Sequence, residues 1–314
     1  MHSTSPRVAV LFPGQGAQKV GMGTWLMAYP ETKRIFALAS AVSGADIATL
    51  CREGPLEELQ RTELAQPALL AVGLSCWAAL RQAGVVPAAA AGHSLGEFGA
   101  WVVSGLLDEE TALRLVAERG RAMGEAAAAR PGGMAAVMGL PPARVEQICR
   151  EVESTGPVVP SNLNCPGQVV ISGSQPALER ALALVTAAGG KAMRLPVAGA
   201  FHSPLMEQAS ARFTKVIESV RPGQVKVPVA ANYTGTLVAH QADAVAALRS
   251  QMLGAVHWEA AMRSLLGAGI TLLLEMAPGR TLAGLMRRIA PEVRVISVDD
   301  EAALAEAVAT VRGA

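Results

Sequence analysis

The sequence predicts an α/β fold: a large domain with a parallel sheet, into which a small α+β unit is inserted. Short apolar runs at positions 8–12 and 85–91 each lead into a glycine-containing turn, and helical patterns follow. Strands and two helices then interleave within about 60 residues, which is typical of a compact α+β unit. Aromatic residues make up only 4% of the chain, so the core must consist largely of Ala, Leu and Val, which suits closely packed α/β layers.

Length and charge narrow the function classes. With 314 residues the chain is long enough for one large domain that carries a smaller one. The net charge of +1 gives no reason to expect binding to nucleic acid or to a membrane surface. The apolar run at 8–12 is too short for a signal peptide, and the uncharged stretch 64–80 predicts a buried helix rather than a membrane span. We therefore expect a soluble, cytoplasmic protein.

The four cysteines predict no metal site and no disulfide framework. They are far apart in the chain and include no C-x-x-C pair, at Cys51, Cys76, Cys149 and Cys165. Free thiols are the expected state.

The first half of the large domain is predicted as follows. A strand covers 7–12 and ends at Pro13-Gly14-Gln15-Gly16, a segment rich in turn-forming residues. Helices are expected at 31–50 and 67–82, followed by the strand at 85–91. Asp108 is a predicted helix cap, and the amphipathic helix that it begins ends before Pro131.

The inserted unit is predicted to be ferredoxin-like. It has strands at 134–138, 168–172 and 191–195 and helices at 142–153 and 176–188, which is the pattern of a split βαβ arrangement. Turn signals flank it, so residues 132–196 form the predicted subdomain and residues 1–131 with 197–314 the large domain. The large domain resumes with a helix from Ser203, strands near 227–230 and 270–275, and a helix from Thr281.

Gly92-His93-Ser94-Leu95-Gly96 is a G-x-S-x-G motif at the end of an apolar run. In such a nucleophile elbow a strand turns sharply into a helix, which exposes the serine hydroxyl and directs backbone N–H groups to the same point. The motif predicts an α/β-hydrolase-like large domain and a serine that attacks an acyl group. Whether water or another thiol then accepts the acyl group separates a hydrolase from a transferase.

A serine nucleophile needs a base, and His202 is the candidate among the five histidines. It lies in Gly199-Ala200-Phe201-His202-Ser203-Pro204, on a loop before a helix; a purely structural histidine is the alternative. Arg119 is either a solvated helix residue or a bidentate clamp for a substrate carboxylate. The Gly14-Gln15-Gly16 segment either presents N–H groups to an anion or is a plain turn.

Taken together, these motifs resemble those of the malonyl-CoA:acyl carrier protein transacylases, which include stand-alone enzymes of fatty-acid synthesis and acyltransferases of polyketide synthases. The resemblance extends over nearly the whole chain, to Pro278-Gly279-Arg280. It rests on five motifs in one order: Pro13-Gly14-Gln15-Gly16-Ala17-Gln18, Gly92-His93-Ser94-Leu95-Gly96-Glu97, Arg119-Gly120, Asn162-Leu163-Asn164-Cys165-Pro166-Gly167-Gln168 and Phe201-His202-Ser203-Pro204.

The resemblance implies a Ser-His dyad. Ser94 attacks the thioester carbonyl of malonyl-CoA, and His202 takes the serine proton and then protonates the leaving thiolate. The backbone N–H groups of Gln15 and Leu95 form the oxyanion hole. The backbone carbonyl of Gln251 orients the histidine in place of an acidic residue.

The resemblance also implies which residues select the acyl unit. Arg119 holds the free carboxylate of malonyl, and an arginine left unpaired in a closed pocket disfavours acetyl-CoA. Phe201, Asn162 and Asn164 lie near the acyl pocket, although a turn is the alternative for the two asparagines. A bulky Phe201 should crowd an α-branch, which favours malonyl; methylmalonyl, ethylmalonyl and larger units stay open because one carbon is worth only about 1–3 kcal/mol.

The expected partners are malonyl-CoA and an acyl carrier protein, in fatty-acid or polyketide synthesis. No tightly bound cofactor and no metal is expected, and the chain is expected to act as a monomer. Basic residues are the candidates for docking an acidic carrier, although each is alternatively a solvated charge: Lys191, Arg194, Arg287 and Arg288. Two other functions remain open, an editing acyl-thioester hydrolase and a non-catalytic carrier-binding module.

Overall fold

The computed structural model describes residues 6–313 and contains two sheets. The strands are β1 Val8–Phe12, β2 Ala89–Gly92, β3 Gly132–Met138, β4 Val158–Cys165, β5 Gln168–Ser174, β6 Lys191–Arg194, β7 Val229–Ala230, β8 Leu237–Val238, β9 Leu272–Met276 and β10 Arg294–Val298. The helices are α1 Pro30–Ser43, α2 Ile47–Glu53, α3 Leu56–Leu59, α4 Thr62–Gln82, α5 Glu97–Ser104, α6 Glu109–Ala129, α7 Pro142–Glu151, α8 Gln175–Ala187, α9 Glu207–Glu218, α10 Gln241–Ser250, α11 Trp258–Gly267, α12 Thr281–Ile289 and α13 Glu301–Arg312.

The large sheet has the order β10-β9-β1-β2-β7-β8. Every neighbouring pair in it is parallel except β7 with β8. Strands β1 and β9 are completely buried, as expected for a parallel sheet covered by helices on both faces. The carboxyl ends of β1, β2 and β7 lie side by side, and the loops that follow them meet at one edge of the sheet.

The second sheet contains β3 to β6 in the order β4-β5-β3-β6, and all of its pairs are antiparallel. Helices α7 and α8 bury their apolar faces on it, through Val145, Ile148, Leu178 and Val185. The βαββαβ chain order with this strand order is that of a split βαβ unit. The predicted fold class, an α/β-hydrolase-like domain with a ferredoxin-like subdomain, is confirmed; the domain limits at 131/132 and 196/197 stay a prediction.

Two boundary predictions were wrong for local reasons. The helix at 31–50 is two helices, because Gly44 adopts a left-handed φ of 74° after α1 and the Asp46 side chain then caps α2. The strand predicted at 85–91 is shorter in the structure, where β2 covers only Ala89–Gly92, and Val86, which precedes it, is 79% exposed. The asparagine motif at 162–164 lies in strand β4, which excludes the turn left open as an alternative for Asn162 and Asn164.

Helix α4 is long and apolar enough to span a membrane by length and composition alone. However, 89% of its apolar window is buried inside the protein, where it packs against α1 and α6. The prediction of a core helix at this position agrees with that packing, and the helix begins five residues earlier than predicted, at Thr62.

Candidate active site

The turn after β2 holds Ser94 in a strained conformation with a positive φ of 51°. Both motif glycines are required by close backbone contacts. A Cβ on Gly92 would lie 2.1 Å from the Gly96 carbonyl, and a Cβ on Gly96 would lie 2.2 Å from the Phe12 carbonyl oxygen. The elbow is thus clamped between its own helix and the end of β1, and Ser94 points into the cleft above the sheet.

We expect Gly96→Ala to destabilise the protein by about 3 kcal/mol or more, because neither backbone segment can move away from the new methyl group. Thermal unfolding would measure the loss. Gly284→Ala is the matched control: Gly284 lies inside α12 with nothing near its Cβ position, so the change should be neutral or stabilise by up to about 1 kcal/mol. Equal melting temperatures for Gly96→Ala and the wild type would refute the steric argument.

His202 lies beside Ser94 with its Nε2 2.8 Å from the serine Oγ. Its Nδ1 lies 3.0 Å from the Gln251 carbonyl oxygen and 3.1 Å from that of Gly254. Carbonyl oxygens can only accept, so Nδ1 carries the proton and the bare Nε2 accepts the Ser94 O–H. The imidazole is therefore in the tautomer of a general base, oriented by main-chain carbonyls rather than by a carboxylate.

The surroundings keep His202 neutral. Burial, then the positive charge of Arg119 and the proximity of His93, together lower its pKa to about 3, while the two carbonyl contacts act in the opposite direction. Its backbone is also strained, with a φ of 56°. Both members of the dyad thus adopt left-handed backbone conformations, which cost about 1–3 kcal/mol each and must be held by their neighbours.

Arg119 is buried beside the serine and is only 1% exposed. Its Nη2 donates to Ser94 Oγ at 3.1 Å and to Gln251 Oε1 at 3.0 Å, and its Nη1 donates to Gln66 Oε1 at 2.8 Å. Its Nε–H is buried without an acceptor among residues 6–313. Burial lowers the pKa of Arg119 to about 10, so the group remains a cation at neutral pH, and Arg119 lines the same cleft as Ser94.

Two backbone N–H groups near Ser94 could stabilise an oxyanion. Gln15 follows β1 and Leu95 follows the serine, and both residues line the same cleft. The hydrogen bonds in the described part of the chain include none from either N–H. The N–H of Ser94 itself donates to Asn232 Oδ1 at 2.7 Å, so it has no free hydrogen for a substrate oxygen.

The cleft is small, about 70 Å³, and lies between the two sheets. Phe201 and Asn162 line it together with Ser94, Arg119 and His202. Four further lining residues were not predicted and are apolar: Met123, Met134, Leu195 and Val197. Asn164 does not line the cleft; its Oδ1 instead lies 2.9 Å from His93 Nε2, behind the elbow.

A buried carboxylate and two amides support these groups. Glu97 accepts from the side chain of Gln251 at 2.8 Å and from the N–H of Asn232 at 3.0 Å. Burial raises the pKa of Glu97 to about 7, against the opposing effects of Gln251, Asn232 and Arg119. Sequence analysis assigned no role to Glu97 or Asn232, and it missed Gln66; a polar residue within the apolar run 64–80 was the available signal for Gln66.

The other predicted residues lie outside this cluster. Arg194 on β6 bonds Gln175 and Glu179, and Arg288 on α12 donates to the Pro166 carbonyl. Lys191 and Arg287 are exposed. All four cysteines are buried and free, and no cluster of three or more potential metal ligands occurs within 6–313.

The chain resembles known proteins over its full extent. Residues 10–301 match the family model described as acyl transferase domain. A malonyl CoA-acyl carrier protein transacylase of Bacillus subtilis (strain 168) is 36% identical, over 98% of each chain. The solved malonyl CoA-acyl carrier protein transacylase of Coxiella burnetii superposes with a TM-score of 0.93 at 34% identity, over 98% of each chain. A malonyl-transacylase solved in complex with its type II PKS acyl-carrier protein superposes with a TM-score of 0.92 at 37% identity, over 98% of this chain and 100% of that one.

Proposed function

Because the chain belongs to the acyl transferase family, within which its relatives are malonyl CoA-acyl carrier protein transacylases, we propose that it transfers a malonyl group from malonyl-CoA to the phosphopantetheine thiol of an acyl carrier protein. The observation that carries the mechanism is the 2.8 Å contact between Ser94 Oγ and the unprotonated Nε2 of His202, with Arg119 on the other side of the hydroxyl. This geometry combines an acyl-serine chemistry with a cation that can bind a carboxylated acyl group.

In the first half-reaction, Ser94 Oγ attacks the thioester carbon while its proton passes to His202 Nε2. The oxyanion receives hydrogen bonds from the N–H groups of Gln15 and Leu95, each of which is worth about 10²–10³ in rate. The tetrahedral intermediate collapses as the C–S bond breaks, and His202 gives its proton to the CoA sulfur. The products are malonyl-Ser94 and free CoA.

The second half-reaction repeats these steps with a different nucleophile. The carrier thiol gives its proton to His202 and its sulfur attacks the malonyl ester, which releases Ser94 Oγ to recover the proton from His202. Because CoA leaves before the carrier binds and the malonyl group stays on Ser94 in between, the transfer is a ping-pong reaction whose intermediate must survive until the carrier arrives.

Arg119 supplies the substrate preference in this mechanism. Its buried Nε–H lacks a partner within the described residues; an unsatisfied buried N–H costs about 1–3 kcal/mol, and more when the group is charged. A malonyl carboxylate supplies the missing acceptor, whereas an acetyl group does not. A carboxylate also offsets the charge that lowers the pKa of His202, so binding the correct substrate makes the base stronger.

We expect the rate of acylation to lack the pH dependence of an ordinary histidine. A base with pKa 6.5 loses activity by about 30-fold on going to pH 5, whereas His202, with its pKa lowered to about 3, stays neutral over that range. Single-turnover formation of the acyl-enzyme between pH 5 and 8 would measure this. Glu97, with its pKa raised to about 7, also titrates in this range, so the profile is compared with that of Glu97→Gln; an inflection near 6.5 in both proteins would contradict the assignment.

Intact-protein mass spectrometry tests the proposed function directly. The protein is mixed briefly with an equimolar pool of acetyl-, malonyl-, methylmalonyl- and ethylmalonyl-CoA, and holo carrier protein is then added. A malonyl adduct that moves to the carrier is the expected result. An adduct of another acyl unit would keep the mechanism but change the substrate, and an adduct lost to water would favour a hydrolase.

Three further properties are proposed on the same basis. The enzyme works without a tightly bound cofactor, since the cleft residues supply the base, the nucleophile and the cation. It acts as a monomer in the cytoplasm. Phe201 and Asn162 bound the acyl pocket, while Asn164 acts on it only through His93.

A further inference from the structure

We propose that Glu97 is a positioning residue whose carboxylate fixes the amide orientation of Gln251, and through it the aim of Arg119 at the acyl group. The proposal rests on the malonyl transfer proposed above. Glu97 touches neither Ser94 Oγ nor His202 by hydrogen bond, so any effect that it has on acyl transfer must pass through the groups that it holds.

Glu97 lies in the first turn of α5, directly after the elbow, and is fully buried. Its Oε2 accepts from Gln251 Nε2 at 2.8 Å and its Oε1 accepts from the main-chain N–H of Asn232 at 3.0 Å. Both oxygens thus face N–H donors, and no acceptor for a carboxyl proton is bonded to either one within residues 6–313. This arrangement suits the ionised group, which is the form that prevails above its raised pKa of about 7.

Gln251 is the relay because each of its polar groups contacts a different part of the site. Its Nε2 donates to Glu97 Oε2 and to the Ser94 carbonyl oxygen, the latter at 2.7 Å, while its Oε1 accepts from Arg119 Nη2 at 3.0 Å. An amide can present its oxygen to the guanidinium only if its nitrogen faces the carboxylate. Glu97 selects this orientation together with the Ser94 carbonyl oxygen, and Glu97 contributes the only negative charge of the two acceptors.

Asn232 is the second group that Glu97 holds. It follows β7, and its side chain accepts from the Ser94 N–H at 2.7 Å and donates to the Gly92 carbonyl oxygen at 2.6 Å. The strained Ser94 backbone is therefore held at its N–H by Asn232 and at its carbonyl by Gln251. Both holding residues come from distant parts of the chain and meet at Glu97.

The charges around Glu97 support a role in the aim of Arg119 rather than in packing alone. The positive charge of Arg119 on α6 lowers the pKa of Glu97, whereas burial raises it. The two groups form no direct ion pair; the Gln251 amide stands between them. A buried cation and a buried anion joined through one amide hold that amide in a single orientation.

Glu97→Gln removes this preference with almost no change in volume. If the new amide oxygen accepts from the Asn232 N–H, the new NH₂ faces the Gln251 NH₂ group, donor to donor. The Gln251 amide then either stays in place and loses this hydrogen bond, or rotates and loses its contacts with both the Ser94 carbonyl and the Arg119 guanidinium. If the new NH₂ group faces Asn232 instead, the clash of donors moves there, so at least one hydrogen bond in the chain of contacts is lost in either case.

The test compares kcat/KM for malonyl-CoA and acetyl-CoA in the wild type, Glu97→Gln and Glu275→Gln. Glu275 is the matched control: it is equally buried, and its oxygens accept from the N–H groups of Leu282 and Ala283 and from the Ser297 hydroxyl, away from the cleft. We expect the malonyl preference to fall by about tenfold or more in Glu97→Gln, the scale of one charge-assisted hydrogen bond, and to remain at the wild-type value in Glu275→Gln.

A double-mutant cycle with Gln251→Met shows whether the effect of Glu97 on the malonyl preference passes through the Gln251 amide. Methionine keeps the main-chain carbonyl that orients His202 but removes the amide, so Gln251→Met should lose the malonyl preference, and adding Glu97→Gln should lower it no further. An unchanged preference in Glu97→Gln, or two losses that multiply, would overturn the proposal. If Glu97→Gln does not fold, the preference of Gln251→Met decides alone, with an unchanged value refuting the relay. A wild type that shows no malonyl transfer would instead refute the proposed function.

Discussion

Replacing Ser94 by alanine leaves no covalent adduct when the protein is mixed with malonyl-CoA, and the rate of transfer to a carrier protein falls by about 10⁶-fold. The expectation follows from the geometry around the hydroxyl, which contacts the base on one side and the Arg119 guanidinium on the other. Among the described residues that line the cleft, no other carries a hydroxyl or thiol: they carry amides, thioethers or hydrocarbon side chains, apart from the Arg119 guanidinium and the two histidines.

Intact-protein mass spectrometry within the first turnovers is the measurement for Ser94→Ala. Ser75→Ala provides the control, because Ser75 is buried in α4 and its hydroxyl has no partner within the described residues, so its removal should leave the adduct intact. A malonyl adduct that persists in Ser94→Ala would assign the nucleophile to another residue. An adduct lost in both variants would show that the change disturbs folding rather than chemistry.

The fold class could be predicted from the sequence because its signals are local. Apolar runs mark β1 and β9, and the motif glycines mark the elbow, since neither of them tolerates a Cβ. Two boundaries failed where a single residue overrode the pattern: Gly44 ends a helix whose apolar periodicity continues beyond it, and Val86 is exposed in spite of its β propensity.

The residues of the candidate site also fall into two groups, those that the sequence could predict and those that it could not. Ser94, His202 and Arg119 could be proposed because each lies in a short motif, and the structure brings their side chains together. Asn232 and Gln66 could not, because their importance arises from contacts 138 and 53 residues away along the chain, with Ser94 and Arg119. Glu97 lies in the elbow motif, yet its positioning role is indicated only by its contacts with Gln251 and Asn232 in the folded structure.

Arg119→Ala is expected to lower kcat/KM for malonyl-CoA by about 10²–10³-fold while leaving or raising that for acetyl-CoA. The loss for malonyl corresponds to about 3–4 kcal/mol, within the range for one partner of a buried charged pair. One effect acts in favour of acetyl-CoA. The removal of the nearby positive charge raises the pKa of His202, which makes it a stronger base.

Steady-state kinetics with both thioesters and a common carrier protein would measure the change, with Arg121→Ala as the control on the same helix. Arg121 is exposed, and its ion-pair partner among residues 6–313 is Glu118, so its removal should change neither value appreciably. Equal losses for the two substrates would mean that Arg119 acts on the serine alone, through its 3.1 Å contact with the hydroxyl, and not on the substrate carboxylate. A selective loss for malonyl would separate the two roles of the guanidinium, because the contact with Ser94 is common to both substrates and only the carboxylate distinguishes them.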